Sequence, residues 1–497
     1  MQTLLTSEQM RIADKYTINN LPISSIDLME KAAEAFVRIL TNDEQDVQKN
    51  IAIFCGRGNN GGDGLAVARL LVKSGFKNIT VYIAAFSEQQ TTDFSVNLKR
   101  LEETKCKIVS IEKASKIENF DTEIIIDAIL GSGLNKPLKG EYAILINYLN
   151  TLNKKIYAID VPSGFPSEGK IPNPYNGIKA YKTICFQRPK INFFFPESIL
   201  ATEKYEVVNI GLSEDFIQSV PSPFQLVEET DIRQILKPRK LFSHKGTYGH
   251  ALIVAGSANT MGAALLSSMA CLHTGAGLIT ACIPESGLVA LNILLPEVMA
   301  LPRDEFKRTE NSDMYQSIAF GPGLGKSIDS RQLLQDLINF KKPTVIDADG
   351  LNMLADQSEL IEKISSNSIL TPHMKEFDRL FGDHSNWWDR LQTAKIQAER
   401  LKIIIILKNQ YTFICLPEGK VCINPTGNPA MAQGGMGDIL TGIIVAFLAQ
   451  KYTATEAAIL ACYLHGKSGD ALARNKNVVT ASEVANQIPI EIKGLLA

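Results

Sequence analysis

Short apolar runs alternate with helix-spaced apolar residues along most of the chain. In the first half these runs are Ile51–Cys55, Ile79–Ala84, Glu123–Asp127, Lys155–Asp160, Thr183–Phe186 and Tyr205–Ile210. They are rich in Val and Ile and do not alternate with polar positions, which suits strands buried on both faces. Between them, Leu65, Ala68, Leu71 and Val72 share one helix face. This alternation predicts βαβ units and a parallel sheet. The pattern lapses near 214–242, where Pro221, Pro223, Pro238 and the charged stretch VEETDIRQILKPRK intervene. It resumes after His250 with strand Ala251–Ala255, a helix near Gly262–His273 and strand Leu278–Ile283. Later strands are expected at Ile318–Phe320, Thr344–Ile346, Ile403–Leu407 and Thr412–Cys415. The reading is two independent α/β domains, 1–215 and 240–497, joined by a linker at 216–239.

Composition narrows the class. With 497 residues, two or three domains are expected. The chain is 45% hydrophobic and 21% charged, which is ordinary for a globular protein and far from the disordered class. A net charge of −2 argues against a bulk electrostatic grip on nucleic acid or anionic membrane. The longest apolar stretch, Ile439–Ala449, is shorter than a membrane span. The opening MQTLLTSEQMRIADKY turns polar at once and does not read as a signal peptide. Eight scattered cysteines with no CxxC pair read as reduced core thiols, so a cytoplasmic protein is expected.

Chemistry gathers at strand ends. Cys55-Gly-Arg-Gly-Asn-Asn-Gly-Gly-Asp-Gly64 follows a strand and opens a helix. Glycines there let the backbone approach a ligand, and the helix-start N–H groups face an anion. Neither a Walker pattern nor a clean GxGxxG is present. Asp127 ends another apolar run, followed by Gly131-Ser132-Gly133-Leu134, and Asp160 ends a third, followed by Pro162-Ser163-Gly164. An Asp at a strand end also serves as a turn or cap residue. Three such loops in one doubly wound sheet nevertheless converge on one crevice.

The combination NNGGDG, IIDAILGSGL and AIDVPSG resembles the N-terminal domain of the NAD(P)H-hydrate epimerases. The openings LTSEQMRIADKY and LMEKAA are similar to that family's N-terminal helices. The resemblance covers roughly residues 1–215. It implies a Rossmann-like three-layer domain that interconverts the R and S forms of NADHX and NADPHX, the hydrated reduced nicotinamide cofactors. It further implies that Asn59, Asn60, Gly61, Gly62 and Asp63 line the substrate. Gly131, Ser132, Gly133, Leu134, Asn135, Lys136, Pro137 and Asp160 would line it too, and Asn60, Asp127 and Ser163 would hold K+. Epimerisation needs proton transfer, so Asp160 is expected as the acid/base.

In the second half, Asn424-Pro-Thr-Gly-Asn-Pro-Ala-Met-Ala-Gln-Gly-Gly-Met-Gly-Asp438 precedes an apolar helix. N–H groups at such a start form an anion hole for a transferring phosphoryl group, and Asp438 stands beside it as a base. HKGTYGHALIVAGS, GPGLG, DADGLN, LTPHMKEF and NPTGNPAMAQGGMGD together resemble the ribokinase-like NAD(P)H-hydrate dehydratases, across roughly 240–490. This implies dehydration of (S)-NADHX or (S)-NADPHX driven by ADP, or by ATP, with Mg2+. Gly262 or Ala263, Gly323, His373 and Asp438 match substrate positions. Lys408, Asn409, Gln410, Tyr411, Thr412 and Gly437 match nucleotide positions. Where the family reads Gly-Met-Ala-Thr, this chain has Ala430-Met-Ala-Gln433. A homo-oligomer is expected, without nucleic-acid or membrane partners. A ribokinase-like small-molecule kinase is the alternative enzyme, and a silent nucleotide-binding protein the alternative outside enzymes.

Overall fold

The computed structural model describes residues 1–117, 121–133, 138–306 and 312–497. The chain divides into two units. One comprises Thr3–Ser222 and Asn386–Trp388; the other comprises Met1–Gln2, Pro223–Ser385 and Asp389–Ala497.

The first unit opens with helices α1 (Ser7–Asn20) and α2 (Ser25–Asp43). Then follow β1 (Asn50–Cys55), α3 (Asn59–Lys73), β2 (Asn78–Ala84), α4 (Thr92–Glu102) and β3 (Lys107–Ile111). β4 (Ile124–Ala128), α5 (Gly140–Thr151), β5 (Lys155–Ile159), β6 (Lys182–Phe186) and β7 (Tyr205–Val208) complete it. The strands lie in the order β3-β2-β1-β4-β5-β6-β7, and every pairing is parallel. This is the doubly wound Rossmann order, with its reversal between β1 and β4. Both sheet faces are covered: Phe36, Leu65 and Phe94 belong to one apolar cluster, and Leu145, Ile146 and Leu149 to the other. The apolar, non-alternating runs follow from this double burial.

In the second unit, β8 (Phe224–Leu226) precedes β9 (His250–Val254), α6 (Met261–Thr274), β10 (Leu278–Ile283) and β11 (Met299–Pro302). Next come β12 (Ser317–Phe320), β13 (Thr344–Ile346), β14 (Ile369–Leu370), α7 (Met374–Phe381), β15 (Ile404–Leu407), β16 (Thr412–Cys415) and β17 (Val421–Asn424). Helices α8 (Met436–Ala449), α9 (Ala454–Ala473) and α10 (Ala481–Leu496) close the chain. From β15 the parallel order runs β15-β14-β13-β12-β9-β10-β11, and β16 and β17 extend it antiparallel. The reversal falls between β9 and β12, so the loops after β9, β12, β13, β14 and β15 share one sheet edge. Beyond its first turn, helix α8 is apolar because it is buried, from Ile439 through Phe447.

Residues 216–239, expected as a linker, contain β8, which pairs with β17, and a helix at Glu229–Ile235. The change of unit falls at Pro223. The eight cysteines are unpaired, and seven are buried. Among the described residues no helix is long and apolar enough to cross a membrane.

Candidate active sites

In the first unit, β1 runs into Gly56–Gly58, and α3 begins at Asn59. The glycines allow a close approach. A Cβ on Gly61 would sit 1.7 Å from the Gly56 carbonyl oxygen, and one on Gly56 would sit 2.0 Å from that of Ile129. The first turn of α3 is thereby pressed onto the ends of β1 and β4. Gly61→Ala must move backbone, so the first unit is expected to lose at least ~1–3 kcal/mol of stability, read by denaturant unfolding.

A cavity of about 890 Å³ lies over this junction. Asn59, Asn60, Asp63, Gly131, Ser132, Gly133 and Asp160 all line it. Gly61 and Gly62 do not; they pack beneath, Gly62 against Met29. Leu134, Asn135, Lys136 and Pro137 lie outside the described residues. Helix α1 adds Met10, Arg11, Asp14, Lys15 and Ile18, which sequence reasoning had not assigned.

Asp160 sits at φ 63°, a left-handed conformation uncommon for Asp and frequent where strain serves a site. Its carboxylate accepts from the Phe186 amide at 3.0 Å and pairs with Lys190 Nζ at 2.7 Å. Lys190 is 4% exposed and also lines the cavity. Burial alone would depress its pKa; the Asp160 charge outweighs this and holds it above the usual range. No local signal marked Lys190, since FQRPK reads as an ordinary charged loop.

Asp127 and Ser163 are fully buried beside the cavity, not in its lining. Asp127 accepts from Ser163 Oγ at 2.6 Å, Ser163 N at 2.7 Å and Ile129 N at 3.2 Å. Burial pushes its carboxyl up to about 6, against those hydrogen bonds. Among the described residues Asn60 Nδ2 is buried without a hydrogen-bond partner. A Cβ on Gly131 would lie 3.4 Å from Asn60 Oδ1, so Asn60 faces the 131–133 loop.

In the second unit, Gly435 at φ 89° turns the chain into α8, placing Gly437 and Asp438 in the helix's first turn. Asp438 is pushed up to about 7 by burial, and next by the Asp347 charge, with Lys408 opposing. Lys408 Nζ pairs with Asp347 at 2.9 Å and lies 3.9 Å from Glu376. Thr441 Oγ1 donates to the other Asp347 oxygen at 2.9 Å. A Cβ on Gly437 would be 3.4 Å from both Asp347 Oδ2 and Lys408 Nζ. Gly437, Asp438 and Lys408 therefore meet around Asp347, which sequence reasoning quoted in DADGLN without giving it a role. The following Ala348 sits at φ 47°, a second strained strand end.

His373 caps α7: its Nδ1 accepts from the Lys375 and Glu376 amides at 3.1 and 3.3 Å. An accepting Nδ1 carries no proton, so the ring's proton sits on Nε2. His373 is bridged to Lys408 through the backbone, and its side chain is 51% exposed. Gly323, at φ 56°, would place a Cβ 2.8 Å from Ala263 Cβ, so these two predicted positions adjoin. Among the described residues a Cβ on Gly262 would meet nothing within 4 Å. Gln410 donates to the Gly427 carbonyl at 3.1 Å, and Asp470 holds the Gly427 and Asn428 loop. Thr412 Oγ1 donates to the Asn409 carbonyl at 3.4 Å. Ala430 lies in the short turn Pro429–Met431, where the Asn428 side chain caps its amide at 3.0 Å.

Comparison with known proteins covers both units. The family profile described as NAD(P)H-hydrate dehydratase matches residues 251–490, and that described as YjeF-related protein N-terminus matches 25–192. The Bifunctional NAD(P)H-hydrate repair enzyme of Moorella thermoacetica is 33% identical over 99% of this chain and 97% of its own. That of Escherichia coli is 30% identical over 95% of this chain and 90% of its own. A ribokinase-like superfamily protein of Enterococcus faecalis has a solved structure 28% identical to this chain. It covers 56% of this chain and 98% of its own, with a TM-score of 0.51. The chain belongs to the family of bifunctional NAD(P)H-hydrate repair enzymes.

Proposed function

We infer that this chain repairs hydrated nicotinamide cofactors. The first unit interconverts the R and S forms of NADHX and NADPHX. The second dehydrates the S form to NADH or NADPH, consuming ADP or ATP and releasing AMP or ADP with phosphate. The observation that carries the second activity is Asp438, a partly buried carboxylate in the first turn of α8 beside Gly437 and Lys408. Such a helix start favours phosphate oxygens, and Lys408 adds positive charge.

In this reading Asp438 takes the proton of the ring hydroxyl as that oxygen attacks the terminal phosphate. The phosphorylated oxygen then leaves, pushed out by the ring nitrogen. Asp347 holds Lys408 in place for the phosphates. Among the described residues no group of three or more His, Cys, Asp or Glu is arranged for a metal. Mg2+ is therefore proposed to arrive on the nucleotide phosphates, whose charge it would offset. The remaining nucleotide positions, Asn409 to Thr412, and the substrate positions Ala263, Gly323 and His373 belong to the same proposal.

For the first unit, Asn60, Asp127 and Ser163 supply oxygen donors, and Asp127 is a buried carboxylate with no cation beside it among the described residues. This donor set fits a hard monovalent ion, so these residues are proposed to hold K+, which would supply the missing positive charge. The folded-state value near 6 lies above the ~3.9 of an unfolded Asp. The Asp127 charge therefore costs stability as pH rises through that window, on the order of 3 kcal/mol. K+ should raise the melting temperature more at pH 7.5 than at pH 5, and Asp127→Asn should abolish the difference. An equal K+ shift at both pH values would remove Asp127 from the site.

The direct test mixes the protein with R and S NADHX, Mg2+, K+ and either ADP or ATP, and follows the NADH absorbance band. Recovery of both epimers is expected. Recovery that stops at the S fraction overturns the epimerase half. Release of a stable phosphorylated compound would mean a kinase. A cytoplasmic homo-oligomer completes the proposal, with light scattering as its check.

A further inference from the structure

We propose that Asp14 is the second proton-transfer residue of the epimerase cavity, working on the hydroxyl-bearing ring carbon in partnership with Asp160. This rests on the epimerase reading above and names a group that reading leaves idle.

Met10, Arg11, Asp14, Lys15 and Ile18 are spaced three and four apart on α1, so they form one helix face, and all five line the cavity. The opposite face fixes the helix. Ala13 and Thr17 are buried. The Ser213 amide donates to Thr17 Oγ1 at 3.0 Å, and Tyr16 stacks on Phe216 with ring centroids 4.1 Å apart. At the other end the Ser7 amide donates to both Glu168 carboxylate oxygens, at 3.1 and 3.2 Å. Asp14 is therefore delivered to the cavity by a helix anchored at both ends.

Its surroundings distinguish it from the other carboxylates. Asp160 is engaged by Lys190 and the Phe186 amide, and Asp127 by three donors. Asp93 accepts from Ser25 Oγ. No hydrogen bond or ion pair among the described residues engages the Asp14 carboxyl. Burial, and then the charges of Asp160, Asp14 and Asp93, push the carboxyl of Asp63, also at the cavity, well above its ordinary value. Asp14 rises only to about 6, through burial and then Asp160, with Lys190 opposing. Arg11 and Lys15 flank it on its own helix, and Arg57 also lines the cavity. Asp14 and Asp160 thus occupy unlike environments in one cavity, the arrangement that assigns acid and base roles to two carboxyl groups.

The chemistry balances with two such groups. Protonated Asp14 donates its proton to the ring hydroxyl as the carbon–oxygen bond breaks. The ring-nitrogen lone pair forms the carbon–nitrogen double bond, leaving an iminium and water. Ionised Asp160 then removes a proton from a water attacking the other face, and the double-bond pair returns to nitrogen. The opposite epimer results, with Asp14 ionised and Asp160 protonated. Asp160 releases its proton to solvent and Asp14 takes one up, so nothing is oxidised or reduced. In the reverse direction the two groups exchange roles.

The test uses the full chain without nucleotide, so dehydration is silent, and follows R/S interconversion of NADHX by chromatography. Asp14→Asn and Asp14→Ala are expected to slow interconversion at least ~100-fold while S dehydration with nucleotide stays at the wild-type rate. In the wild type, kcat/KM should fall as pH rises past about 6, where Asp14 loses its proton. Asp14→Asn should remove that fall, and Asp14→Glu should restore part of the rate. An Asp14→Asn variant within twofold of wild type overturns the proposal and leaves the epimerase reading intact. A wild type that does not interconvert the epimers overturns the reading itself. If Asp14→Asn loses its thermal transition, the wild-type profile decides: no fall above pH 6 overturns the proposal.

Discussion

Asp438→Asn should lower the dehydration rate by about 10²–10⁴-fold and leave epimerisation at its wild-type rate. The amide keeps the size of the carboxyl but accepts no proton. Little stability should be lost, because Asp438 is only partly buried and the anchoring pair is Lys408 with Asp347. Direction with pH follows from the sign of the shift. A carboxyl raised to about 7 is protonated below that value and works as a base only above it. Dehydration kcat/KM should therefore climb as pH rises and level off above about 7. A variant that keeps both the rate and the climb would show that another group takes the proton.

Asp160→Asn carries the second large effect, on the other activity. Epimerisation should fall by about 10²–10⁴-fold with dehydration of S-NADHX unchanged. This substitution also strands Lys190, a buried ammonium whose ion-pair partner is Asp160. Breaking a buried pair by removing one member costs ~3–5 kcal/mol. Rate and stability are separable through a second change. Asp160→Asn combined with Lys190→Met should regain much of the lost stability, because the stranded ammonium is gone. It should not regain activity. A double variant that epimerises at the wild-type rate would reduce Asp160 to a structural partner of Lys190.

The sites were legible where their chemistry is written into consecutive residues. NNGGDG and the Asp127 and Asp160 strand ends each combine a strand exit with glycine and a polar side chain, and the parallel sheet of the first unit brings those exits to one edge; GGMGD instead opens helix α8. The paired charges were not legible. Lys190 reaches Asp160 from a loop thirty residues on, and Lys408 reaches Asp347 from two strands away. Nothing in FQRPK or in the run before Lys408 says which carboxylate each lysine meets. The pairing of Lys408 is set by strand order. Asp14 was hidden for another reason, since one acidic residue on an amphipathic helix is the ordinary signature of a solvated face. The short strands β3 and β11 escaped because they lie at sheet edges, where half-exposed residues weaken the apolar pattern. Strand β8 escaped because it lies among prolines and charges.

Each unit encloses an apolar cluster of its own: Phe36, Leu65 and Phe94 in the first, Ile253, Ile443 and Leu460 in the second. The two activities therefore have separate points of failure, and each failure leaves its own chemical trace in a cell. With the first unit lost, the S form is still cleared while the R form accumulates, so the damaged pool becomes one-handed. With the second lost, the epimers interconvert but neither is removed, and the pool grows at a fixed ratio. The handedness of the accumulated hydrate would thus report which half of the chain a mutation had struck.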